Sequence, residues 1–98
     1  MTIKKKKENK KLTVLISGKV DTSTAPQLEE FLRAEMVDID ELILDLEGVD
    51  YISSAGLRVI LSAQKTMNSL GTLKVAHVNE DVMETFELTG FTGILTII

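Results

Sequence analysis

The sequence predicts an α/β fold: a single domain with a mixed, mainly parallel sheet of four to five strands packed with about three helices. Three observations carry this. Short aliphatic and β-branched runs alternate along the chain with segments whose apolar residues recur at helical spacing. Glycines and small polar residues fall at the joints between them. Leu42, Ile43 and Leu44 are consecutive, as expected of a strand buried on both faces. Strand, helix, strand, helix, strand, helix, strand is the order that yields right-handed crossovers and parallel neighbours.

The elements follow in order. Residues 1–11 hold six lysines and one glutamate. They suit either a solvated basic tail or an edge strand whose lysines discourage edge-to-edge association. Leu12–Ser17 is a strand stopped by Gly18. Thr24 and Gln27 have the spacing of a capping box, and Pro26 fits a first helical turn. Leu28, Phe31, Leu32 and Met36 then form a buried stripe, and the helix ends by Met36–Asp38. Glu41–Leu46 is the central strand. Ser53 and Ser54 open a second helix whose inward residues are Leu57, Ile60, Leu61 and Gln64 or Met67, with Gly71 beyond it. Leu73–Val78 is a strand, and Asn79 caps a third helix with Glu80 and Asp81 in its first turn. Val82, Phe86 and Met83 are its apolar stripe, Gly90 stops it, and Ile94–Ile98 reads as a last short strand.

Composition excludes several kinds of chemistry. The chain has 98 residues and no cysteine, so disulfides, thiolate metal sites and cysteine nucleophiles are out. No apolar run approaches transmembrane length and the Lys-rich start lacks a signal-peptide core, so a soluble cytoplasmic domain without membrane insertion is expected. Outside residues 1–11 there are five basic and fourteen acidic side chains. That balance opposes nucleic-acid binding, which needs clustered Lys and Arg. One histidine, His77, and scattered acids present no metal-ligand spacing, and no glycine-rich phosphate loop occurs, so neither a metal nor a cofactor is expected.

Chemistry concentrates between Leu44 and Leu61. Ser53 and Ser54 stand at the carboxyl end of a strand, where sites form in such sheets. There they face the unpaired N–H groups and positive dipole end of the following helix. A phosphate on a serine at this place is well accommodated; a plain N-cap is the simpler role. A hydrolase using Ser54, His77 and Asp21 or Asp45 is formally possible, but Ser53-Ser54-Ala55-Gly56 lacks the flanking glycines of a nucleophile elbow.

The segments Gly18-Lys19-Val20-Asp21-Thr22-Ser23-Thr24-Ala25, Leu44-Asp45-Leu46 and Tyr51-Ile52-Ser53-Ser54-Ala55-Gly56-Leu57-Arg58-Val59 together resemble STAS domains, specifically the bacterial anti-sigma factor antagonists. The resemblance runs from about Leu12 to the C-terminus. It implies a non-enzymatic protein switch. In that family the unmodified antagonist binds an anti-sigma factor that is also a serine kinase, is released when phosphorylated, and is reset by a phosphatase. The matching acceptor is Ser54, with Ser53 as second choice, because Ser53 stands where many members carry aspartate. Arg58 replaces a frequent glycine. The implied partner-binding residues are Asp21, Thr22, Ser23, Ser53, Ser54, Ala55, Gly56, Leu57 and Arg58. A STAS module of a transport, lipid-trafficking or other signalling complex, with no phosphorylation cycle, is the alternative.

Overall fold

The computed structural model describes residues 1–98. Five strands form one sheet in chain order: β1 (Thr2–Glu8), β2 (Lys11–Val20), β3 (Glu41–Ile52), β4 (Thr72–Ala76) and β5 (Thr96–Ile97). β1 runs antiparallel to β2, and the pairs β2–β3, β3–β4 and β4–β5 are parallel. Three helices, α1 (Ala25–Glu35), α2 (Ser54–Leu70) and α3 (Glu80–Leu88), supply the connections, with a 3-10 turn at Phe91–Gly93 before β5. The Lys-rich start is therefore an edge strand, anchored to the end of α1 by an ion pair of Lys5 with Glu35 at 2.8 Å. The last strand is only two residues long, shorter than the Ile94–Ile98 run, because the 3-10 turn takes up the residues before Leu95.

One core holds the molecule together. Alternate residues of the strands (Leu12, Val14 and Ile16; Leu42, Leu44 and Leu46; Leu73 and Val75) join Leu28 and Leu32 of α1, Leu57, Ile60 and Met67 of α2, and Val82 and Phe86 of α3. The opposite face of the sheet, with Thr13, Leu15, Ile43, Asp45 and Lys74, is only half-buried. This corrects the expectation that β3 is covered on both sides. Ile43 occupies the open face, so three consecutive apolar residues do not require two buried faces. The buried stripe of α2 is also turned from the expected one. Val59 and Ala63 are buried, whereas Leu61 and Gln64 are half-buried, and Phe31 of α1 only packs against the core margin.

β3 outruns both neighbours. Its register against β2 slips twice, between Leu15 and Ser17 and between Gly18 and Lys19, so β3 carries two more residues than the stretch of β2 it accompanies. Each extra residue is a bulge, which bends the strand and re-aims its side chains. Beyond Leu46 the buried positions accordingly become Val49 and Ile52, three apart instead of two. β4 stops opposite Asp45, and from there Asn79 replaces it: its Nδ2 donates to the Val49 carbonyl at 2.8 Å while its Oδ1 accepts from Val82 N–H at 2.8 Å. Asn79 thus caps α3, as its position predicts, and also satisfies the edge of β3.

Candidate functional site

Two neighbouring strand ends build the serine site. β2 finishes at Val20 and β3 at Ile52, paired in register. Ser53 N–H donates to the Val20 carbonyl at 2.9 Å, which fastens the start of α2 to the loop that leads into α1. Gly56, in the first turn of α2, lies against the same residue. A Cβ there would stand 2.8 Å from Val20 Cγ1, 2.8 Å from Ile52 Cγ1 and 3.0 Å from the Val20 carbonyl oxygen. Gly56 and Leu57 are buried and set the start of α2 against the sheet.

The loop beside them is self-supporting. Asp21 Oδ1 accepts from Ser23 Oγ at 2.7 Å, Ser23 N–H at 3.0 Å and Thr24 N–H at 3.2 Å. The Ser23 hydroxyl is the main reason the Asp21 carboxyl lies below its ordinary pKa; the two backbone N–H groups and the Thr24 hydroxyl add to it, against a smaller opposing effect of desolvation. The capping box anticipated between Thr24 and Gln27 does not form. The Thr24 hydroxyl points backward instead, donating to the Lys19 carbonyl at 2.8 Å and accepting from Asp21 N–H at 2.9 Å.

The two serines differ. Ser53 is the N-cap of α2 by backbone position, yet its hydroxyl makes no capping bond and is buried without a hydrogen-bond partner. Ser54 is the first helical residue and is exposed. Arg58, one turn on, is exposed and forms no ion pair. With Thr22, Pro26, Glu29 and Ala55 it lines a shallow recess between α1 and α2, so the Asp21–Ser23 loop and the α2 start present one continuous surface. Tyr51, two residues before Ser53, is half exposed and is absent from the sequence-derived site. Alternation continued from Leu42, Leu44 and Leu46 already turns it outward; it is missed because the sequence pattern ends the strand at Leu46, whereas β3 runs on to Ile52.

His77 occupies a different place. Its Nδ1 meets Asp45 Oδ1 at 3.0 Å, the pairing that a hydrolase would require. Asp45, however, lies seven positions before Ile52 on β3, on the order of 20 Å along the strand, so Ser54 is remote from the pair and no triad is assembled. The hydrogen bond to Asp45 and that carboxylate's charge raise the His77 pKa above its ordinary value; Glu47 adds to this and desolvation opposes it. The sequence gives Asp45, Glu47 and His77 no ligand spacing, but the fold corrects that, bringing one potential ligand atom of each within 4.8 Å of the others.

A family model of the STAS domain matches residues 2–98. The chain belongs to the STAS domain family. BtrV of Bordetella bronchiseptica, provisionally named an anti-sigma factor antagonist, is 40% identical over 89 residues, which span 88% of this chain and 76% of that protein. A crystal structure of an anti-sigma factor antagonist from Mycobacterium paratuberculosis superposes with a TM-score of 0.89 at 24% identity, covering 98% of this STAS domain and 83% of that chain. The Bacillus cell fate determinant SpoIIAA in its phosphorylated form superposes with a TM-score of 0.76 at 11% identity, covering 99% and 91%. At these identities the superpositions establish the shared fold. No helix of this STAS domain is long and apolar enough to cross a membrane.

Proposed function

We propose that the protein is an anti-sigma factor antagonist that works as a phosphorylation-controlled switch in the cytoplasm, acting by binding and not by turnover. Unmodified, it engages an anti-sigma factor with serine kinase activity through the Asp21–Ser23 loop, the Ser54–Ala55 corner, Arg58 and Tyr51. Phosphorylation of Ser54 releases it, and a phosphatase restores the binding form. The observation that carries the reading is the contrast between the serines. Ser54 offers an exposed hydroxyl at the start of a 17-residue helix, whereas the Ser53 hydroxyl is buried. The helix start favours an added anion. The names of the relatives supply the partner class, and a phosphorylated neighbour of the same fold supports tolerance of the modification.

The test is incubation with the cognate kinase and ATP, followed by intact-mass measurement and mapping of the modified residue. One phosphate on Ser54, with loss of kinase binding, is expected. Modification of neither serine by a kinase that binds the protein would overturn the switch in favour of a STAS module with no phosphorylation cycle.

A further inference from the structure

We propose that Asp45, Glu47 and His77 form a binding site for a divalent first-row metal ion such as Zn²⁺, separated from the serine surface along β3. The donor set is one imidazole nitrogen and two carboxylate oxygens, a mixture that suits such ions. Asp45 and Glu47 stand two apart on one strand, and His77 comes from the end of the neighbouring strand, immediately after Ala76, the register partner of Asp45. The spacing is close to what an ion needs. At metal–ligand distances near 2.1 Å, adjacent ligands lie roughly 3.0–3.4 Å apart. The His77 Nδ1–Asp45 Oδ1 separation is 3.0 Å, and all three ligand atoms fall within 4.8 Å. The Glu47 side chain is exposed and free to swing the remaining ångström.

The anchor of the set is fixed. The Asp45 side chain is 14% exposed, and its Oδ1 accepts the Glu47 N–H at 3.0 Å at the first bulge of β3. His77 adopts a left-handed backbone with φ 57°, which L residues seldom take and which turns the chain sharply off the end of β4. No Lys or Arg forms an ion pair with Asp45 or Glu47. Lys4 lines the recess that adjoins both carboxylates without pairing to either. Two carboxylates facing one imidazole therefore hold an excess of negative charge that a dication would neutralise. The open face of the sheet leaves the remaining coordination positions to water.

The experiment is calorimetric titration of the tag-free, metal-stripped protein with ZnCl₂ at neutral pH, together with Mn²⁺ line broadening in a ¹⁵N-resolved NMR spectrum. One equivalent of Zn²⁺ is expected to bind, with broadening centred on residues 45–48 and 76–78. His77→Asn keeps a residue tolerant of left-handed backbone and is expected to weaken binding at least tenfold, as is Glu47→Gln. Glu87→Gln, an exposed acid on α3, should leave the affinity unchanged, and Lys4→Gln should strengthen it by removing a competing cation. Unaltered Zn²⁺ affinity in folded His77→Asn, or broadening spread evenly over the acidic surface, would overturn the assignment.

Discussion

Gly56 and Val20 touch so closely that no side chain fits between them: a Cβ on Gly56 would lie 2.8 Å from the Val20 side chain and 3.0 Å from its carbonyl oxygen. That oxygen cannot retreat freely, because it also accepts the Ser53 N–H at 2.9 Å. Gly56→Ala improves helix propensity by about 1 kcal/mol but overpacks a junction whose strain is typically 1–3 kcal/mol. The expected outcome is a net loss of stability in urea denaturation, with displacement of the α2 start and weaker partner binding. Unchanged stability and binding would mean that the contact relaxes without consequence.

Ser53→Ala separates two accounts of the same residue. A hydroxyl acting as N-cap contributes about 1 kcal/mol, which alanine forfeits. Here the hydroxyl makes no such bond and is buried without a partner, and an unsatisfied buried polar atom costs roughly 1–3 kcal/mol. The variant is therefore expected to match or exceed the stability of the parent by thermal denaturation, and to remain a kinase substrate. A loss near 1 kcal/mol would show that Ser53 caps α2 after all.

Leu28, Leu57, Ile60, Val82 and Phe86 were legible as core because helix periodicity survives packing, and Asn79 was legible as a cap because its bond to Val82 is local. The position of Ser54 at the opening of α2 was legible from the two serines that follow a strand. What escaped depends on the sheet. β3 continues past Leu46 to Tyr51 and Ile52, and its parallel pairing with β4 sets Asp45 beside Ala76 and so near His77, a meeting of distant segments that no local pattern announces. Thr24 and Gln27 had the right spacing for a capping box, but Asp21 competes for the same polar groups and wins with several short bonds.

Asp21→Asn tests that competition through pH. The folded-state pKa of Asp21 lies below the unfolded value of 3.8, so its ionised form stabilises the native loop. This contribution is fully present above the unfolded pKa and is lost as pH falls through the lower folded value. The melting temperature of the parent should exceed that of Asp21→Asn at pH 6, and the gap should shrink as the pH is lowered below about 4. A gap that stayed constant down to pH 2.5 would show that the carboxylate charge is not what holds the loop.

The proposed switch turns on where compensation for charge is available. Phosphate on Ser54 adds about −1.5 to −2 charges, and within the antagonist the N–H groups opening α2 offset them. Arg58, four residues on and free of any ion pair, is placed one turn away to add a charge-assisted bond. The phosphorylated protein should therefore melt close to the unmodified one, and in Arg58→Ala the phosphate should lower the melting temperature more than in the parent. A partner fitted closely against Ser54 would have to take up that charge and bulk at a contact shaped for a hydroxyl. Losing about 2–4 kcal/mol at that contact weakens binding on the order of 30- to 1000-fold. Ser54→Ala should bind the kinase yet stay unmodified, and Ser54→Asp should bind poorly, though less so than the phosphoprotein because it carries one charge. Undiminished binding of the Ser54-phosphorylated protein, measured by surface plasmon resonance, would defeat the release mechanism even if Ser54 proved to be the acceptor.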